Sequence, residues 1–318
     1  MTDDSNKAAL TPSLSHPMGE EKSPSTRARS GQLFGSAITS GPAVLWLTVF
    51  LLAPLLIITA ISFFSRGANG ETELPLTLGS YKRLVGFGEL GFDPLYPFIL
   101  LRSLVLGAGT AVVCALAGLP LAFFIARLPA RFKTLMLTLV VIPFWTNLLI
   151  RTYAWQILFA PESWLSRAAH ALGIGTSDEA LYPGAGAVLV GMVCDFLPFM
   201  VLPLYASVEK IDWTLAEAAM DLGANRAQVL RHALLPQIMP GLVAGIILVF
   251  LPATGQFVIP DLLGGAKTTM LGNAIQQQFA QTRDWPFGSA IALVALTLVM
   301  IGVLVYGRKS AREEATVL

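Results

Sequence analysis

The stretch DWTLAEAAMDLGANRAQVLRHALLPQIMPG, from Asp212 to Gly241, is the longest markedly polar segment between strongly apolar blocks beyond the first third of the chain. Its punctuation is that of two short helices. Asp212 or Thr214 suits the N-cap of the first, and Thr214 with Glu217 has the spacing of a capping box. Leu215, Ala218, Ala219 and Leu222 then recur on one helical face, and Gly223 stands where a left-handed residue ends a helix. Asn225 suits the cap of a second helix that runs to Leu235, where Pro236 interrupts it. Two readings fit this spacing. One is a small apolar face beside a carboxylate, docking into a cleft on another protein; the other is a solvated loop between two membrane helices.

The chain on either side is strongly apolar. Of 318 residues, 54% are hydrophobic and only 13% charged, with a mean hydropathy of +0.66. Soluble domains carry about a quarter charged residues, so this composition marks an integral membrane protein. A net charge of +1 points to neither nucleic acid nor an acidic partner. Cys114 and Cys194 both lie in apolar stretches and read as small core residues, and His16, His170 and His232 are too scattered to form a ligand set.

Residues 1–38 are rich in Ser, Thr, Pro and charge, without apolar periodicity, and read as a disordered tail. Six apolar spans follow, at about Ala43–Phe64, Leu104–Ala126, Leu135–Phe159, Gly184–Tyr205, Gly241–Pro260 and Ala290–Tyr306. Residues 39–98 thus hold the first helix and an external loop, 99–307 a membrane core with the polar loop at 212–240, and 308–318 a second tail. Lys and Arg accumulate before the first span, between the second and third (Arg127, Arg131, Lys133), in the Glu217 loop, and after the sixth (Arg308, Lys309, Arg312). By the positive-inside rule both termini and the Glu217 loop are cytoplasmic, and the loops around Tyr81, His170 and Lys267 face outward.

Nothing in the chain reads as an ATPase or other enzyme. GFGELG (Gly86–Gly91) has the G-x-G-x-x-G spacing, but no strand precedes it and Asp93-Pro94 follows. Gly264-Gly265-Ala266-Lys267-Thr268 lacks the spacing of a phosphate loop.

Glu217-Ala218-Ala219, then Gly223, then Leu235-Pro236 resembles the EAA motif of ATP-binding-cassette importer permeases, E-A-A-x-x-x-G followed after nine residues by I-x-L-P. Ala233 departs from it, standing where the family usually has isoleucine. Pro143–Asn147, Leu149–Trp155, Leu197–Tyr205 and Arg283–Gly288 are similar to stretches in the permeases of spermidine/putrescine importers, in particular the first of the two permeases. The resemblance covers roughly residues 75–307. It implies an all-α type I importer fold of six helices, moving polyamines by alternating access. Its implied partners are a second homologous permease, two copies of a cytoplasmic ATPase that binds the ATP, an external solute-binding protein and membrane lipid. Glu217, Ala218, Ala219, Asp221, Gly223, Leu235 and Pro236 would then couple the chain to the ATPase. The alternatives are a related importer for ferric iron, an opine or an amino-acid derivative, and a secondary transporter driven by an ion gradient. The latter usually carries inverted repeats and needs no such loop.

Polar groups inside the spans indicate a substrate path, because each is costly against lipid. Asp195 lies about halfway along the fourth span, where a carboxylate facing an aqueous cavity would attract a polyamine's ammonium groups. The competing reading is an ion pair with Arg151. In a straight third span Arg151 sits about 10 Å nearer the outer surface, which favours the path. Gln256 lies beside Pro252 and Gly255, where a helix break would expose carbonyls, although a packed proline kink also fits. Trp145, Tyr153 and Trp155 offer faces to a polycation or anchor the span at the interface.

Overall fold

The computed structural model describes residues 26–67, 72–88, 91–171, 173 and 181–317. The chain folds as two compact units, one ending at Leu56 and the other beginning at Ile57. The first is carried by helix α1 (Thr26–Ser62), whose apolar part, Val44–Ser62, has a mean hydropathy of 2.6. α1 starts inside the segment expected to be disordered. No proline lies between Thr26 and Gly41, so the backbone ladder is unbroken as far as Pro42. Residues 1–25 of that tail lie outside the described residues.

The second unit takes in the last turns of α1 and the loop after it, which is more structured than its glycines announce. Strand β1 (Ser65–Arg66) pairs antiparallel with β2 (Thr72–Glu73), helix α2 (Gly79–Leu84) follows, and β3 (Phe87–Gly88) pairs with β4 (Gly91–Phe92). The G-x-G-x-x-G stretch is therefore a small hairpin, with Gly86 and Gly91 at positive φ; Glu89 and Leu90 lie outside the described residues.

Helix α3 (Leu95–Ala126) begins nine residues before the apolar run, where the Asp93 carboxylate accepts the Leu95 N–H at 3.0 Å. The third span is not continuous. Helix α4 (Ala130–Val141) passes into a 3₁₀ turn at Ile142–Trp145 and restarts as α5 (Leu148–Phe159), turned by 93°. Pro143 lies in the turn, and Asn147 caps the restart by accepting the Leu149 N–H at 2.8 Å. A short helix α6 (Trp164–Ala171) and the long α7 (Ala185–Val208) follow.

α8 (Trp213–Asp221) and the single turn α9 (Arg226–Gln228) form the polar loop, and a π-helical segment, Val229–Leu234, leads directly into α10 (Leu235–Thr254). Pro236 therefore does not interrupt the chain. The widened turn before it accommodates a residue without an N–H donor, and Arg226–Thr254 runs on as one apolar element. After the break at Gly255, helices α11 (Leu271–Ala280) and α12 (Trp285–Val317) close the chain. Arg308, Lys309 and Arg312 lie on α12, with their side chains outside the described residues.

α3, α7 and α10 pack into the core, with Cys114, Val188, Met192, Met200, Leu204, Ile238 and Val249 buried between them. Gly241 and Gly245 make the α7–α10 seam possible. A Cβ on Gly241 would run into Ser207 Oγ and the Pro203 carbonyl, and one on Gly245 would lie 2.6 Å from the Met200 sulfur. Small residues four apart that let two backbones approach are the usual device where lipid supplies no hydrophobic drive. In all, five helices among the described residues are long and apolar enough to cross a membrane, six if the bent α4–α5 pair counts as one.

Candidate functional site

The α8–α9 loop is held by local polar chemistry. Asp212 caps α8, accepting the Thr214 N–H at 3.0 Å and the Thr214 hydroxyl at 2.7 Å. Thr214 is thus a donor to the cap, and the Thr214–Glu217 box does not form. The Thr214 hydroxyl and then its amide hold the Asp212 carboxyl below the usual aspartate value, because both bond its charged form. Gly223 ends α8 at φ +85°, with its N–H on the Met220 carbonyl (2.9 Å) and the Ala224 N–H on the Ala219 carbonyl (3.0 Å), a Schellman closure. Asn225 and Gln228 then cap α9 reciprocally, at 2.8 and 2.9 Å. Gln237 on α10 accepts the Asp212 N–H at 2.9 Å and donates to the Ala233 carbonyl at 2.8 Å, tying the start of the loop to its end.

α8 rests on Ala216, which is buried, and on the half-buried Ala219, against a core that includes Ile211, Val229 and Leu234. The inward face is therefore Ala216–Ala219. Leu215, Ala218 and Leu222, expected on one face with Ala219, point to solvent; Leu222 is 89% exposed. Glu217, Asp221 and Gly223 are exposed as well, and no ion pair engages Glu217 among the described residues. Of the remaining motif positions, Leu235 is half-buried and Pro236 exposed. The departing Ala233 is half-buried against the core, so the substitution falls in the packing beneath α8 and not on its exposed face.

The second group of candidates separates. Asp195 is buried on α7, and its carboxylate pairs with the Arg151 guanidinium, which also donates to the Pro143 carbonyl. The 93° bend cancels the offset expected for a straight span by folding the start of α5 back towards α7. Gln256 turns onto its own backbone, accepting the Phe257 and Val258 N–H groups at 3.0 and 3.3 Å. Trp145 and Tyr153 are exposed, at 80% and 50%, whereas Trp155 stacks on Phe159 with centroids 5.5 Å apart. No hydrogen bond or ion pair joins Trp145, Tyr153, Asp195 and Gln256 among the described residues.

Two further polar clusters lie at opposite ends of the core. At one, the buried Asp284 carboxylate holds Arg83 at 3.0 Å and Arg66 at 3.6 Å, and the Arg83 guanidinium lies 4.2 Å from the Phe287 ring centroid. At the other, Lys133 pairs with Glu209 at 3.2 Å and Arg127 stacks on Trp213 at 5.5 Å. Only the Asp284-Trp285-Pro286 helix start has a local signal; its partners lie about 200 residues away, as the separation of 201 for Arg83 shows.

An apolar bundle with a broken span and a capped, exposed helix between α7 and α10 defines a multi-pass membrane protein. Residues 118–311 match the family described as binding-protein-dependent transport system inner membrane component. The spermidine/putrescine transport system permease protein PotB of Escherichia coli is 42% identical over 266 residues, covering 83% of this chain and 94% of that protein. PotB of Haemophilus influenzae is 40% identical over 263 residues, covering 83% and 90%. The chain is also similar to a solved bacterial ABC transporter involved in the import of the acidic polysaccharide alginate, with a TM-score of 0.64 and 16% identity, over 90% of this chain and 96% of that one. The chain belongs to the binding-protein-dependent transport system inner membrane component family. Its fold is that of an ABC importer permease, and its place is the inner membrane.

Proposed function

We propose that this chain is one of two permease subunits of an ATP-driven polyamine importer, moving putrescine or spermidine inward by alternating access. The observation that carries the permease role is α8, an exposed carboxylate helix closed at Gly223 and clipped through Gln237 to the helix that continues into the membrane. A load on Glu217 or Leu222 from a partner is passed to α7 through the Ile211–Asp212 junction and to α10 through the π segment. The substrate class rests on the relatives named for spermidine and putrescine.

In this reading the Glu217 loop and both termini face the cytoplasm, where a pair of ATPase subunits binds ATP; this chain binds none. A solute-binding protein delivers substrate from outside. Glu217, Ala218, Asp221 and Gly223 form the contact, while Ala219, Leu235 and Pro236 seat it. Trp145 and Tyr153, exposed on the broken span, are the candidates to meet substrate or the second permease. Asp195 acts as a strut with Arg151, and Gln256 as a cap on the break after α10. The test is uptake of labelled putrescine and spermidine into proteoliposomes holding the complete complex. ATP-dependent accumulation is expected. Accumulation of an unrelated solute instead, unaffected by excess polyamine, would overturn the substrate assignment and leave the permease role standing.

A further inference from the structure

The end of the bundle that carries α8 holds a cavity of about 390 Å³, lined by Ala126 and Arg127 at the end of α3, Lys133 on α4, Val208 and Glu209 at the end of α7, and Trp213 at the start of α8. Two membrane spans end at this cavity, α3 at Ala126 and α7 at Val208, so it lies at the boundary between hydrocarbon and water. Its charge is mostly positive. Arg127 stacks on Trp213, and among the described residues neither it nor the nearby Arg131 has a carboxylate partner. Glu209 is the one acid in the lining, and it is engaged by Lys133 at 3.2 Å. Beside the cavity the lipid-facing surface is apolar. Phe132, Leu135 and Leu139 recur on one face of α4, and Phe124 stands exposed on the last turn of α3.

A phosphate with apolar chains attached fits this combination. Basic pockets between helices on the positive face of a membrane take anionic headgroups, and each nearby Lys or Arg adds to the attraction. We propose that the cavity seats the phosphate of an anionic phospholipid between Arg127 and Lys133, with the acyl chains along Phe132, Leu135 and Leu139. Trp213 forms its wall and is the first residue of α8. The bound headgroup therefore bears on the docking helix through the Arg127–Trp213 stack and the edge contact of Trp213 with Phe123, centroids 6.4 Å apart. This site does not depend on which solute is carried.

The test uses the full chain in phosphatidylcholine nanodiscs with phosphatidylglycerol titrated in, counting bound lipids by native mass spectrometry and following hydrogen exchange of the α8 amides. Wild type is expected to bind phosphatidylglycerol and to slow α8 exchange. Arg127→Gln with Lys133→Gln is expected to bind roughly thirty-fold more weakly. Glu209→Gln, which frees Lys133, is expected to bind more tightly, an outcome that misfolding does not produce. Unchanged affinity in both variants, or equal slowing by phosphatidylcholine alone, would overturn the site. Slowing of α8 in pure phosphatidylcholine by millimolar inorganic phosphate would show that free phosphate, not lipid, is the ligand, and would overturn the lipid assignment.

Discussion

Glu217 stands exposed on a nine-residue helix, with its own chain offering it no cation among the described residues. Such a carboxylate is free to accept charge-assisted bonds from an Arg or Lys in a partner's cleft. Losing one member of a desolvated pair costs about 2–5 kcal/mol, so Glu217→Ala is expected to release the ATPase during purification while the permease stays in the membrane. Gly223, at φ +85°, meets no steric neighbour, so a side chain there adds only the backbone strain of roughly 1–2 kcal/mol. Gly223→Asp also puts a second charge at the docking face, and ATP-driven uptake is the readout expected to fall. Asp212 supplies a pH signature. Its lowered pKa means that the cap stabilises the loop above the ordinary aspartate value of 3.8 and is lost as pH falls through the lowered value. The protection of the Thr214 amide, how far its exchange is slowed relative to that of an unstructured amide at the same pH, should fall on acidification through that range, and Asp212→Asn should remove the dependence.

Among the elements, the broken third span and the α7–α10 seam are fastened to α7 by specific contacts. Arg151 fastens the break to α7 by holding both the Pro143 carbonyl and Asp195. Removing one member of such a buried pair costs about 3–5 kcal/mol, and replacing both with apolar residues of similar volume restores much of it. Thermal unfolding of Arg151→Met, Asp195→Leu and the double variant tests this; no loss in either single variant, or a loss in the double equal to the sum of the two, would show that the pair does not couple and would reopen the path role of Asp195. The sequence offered this pairing but weighed against it. It depends on a 93° turn at Pro143, whereas a straight helix sets the two residues about 10 Å apart in depth. By contrast, Gly223 and Asn225 were legible as the stop and start of two helices, because caps are local chemistry within four residues. The residue that seats α8 on its own core was not legible for a related reason. Leu215, Ala218 and Leu222 satisfy helical periodicity, but the partner that would cover them is another protein, and the chain's own core takes Ala216.

For the whole molecule, apolar content made the membrane class and most span positions legible. The clustering of end loops was not, since Arg83 and Asp284 meet across most of the chain length. The fold places Arg127, Lys133, Glu209 and Trp213 at one end, and Arg66, Arg83 and Asp284 at the other. With the α8 end on the cytoplasmic side, as the positive-inside rule and the proposed function have it, a cysteine at position 228 is expected to label only from the cytoplasm and one at position 82 only from outside; labelling of 228 in intact cells would invert the topology. In the proposed mechanism, ATP hydrolysis by a partner reaches this chain through α8 and drives polyamine inward. Its most direct measurement is polyamine uptake by the reconstituted complex, with wild-type or Glu217→Ala permease, with and without ATP. ATP-dependent uptake is expected in the wild type and none above background in the variant. Uptake that needs no ATP, or that Glu217→Ala leaves intact with the ATPase still bound, would contradict it.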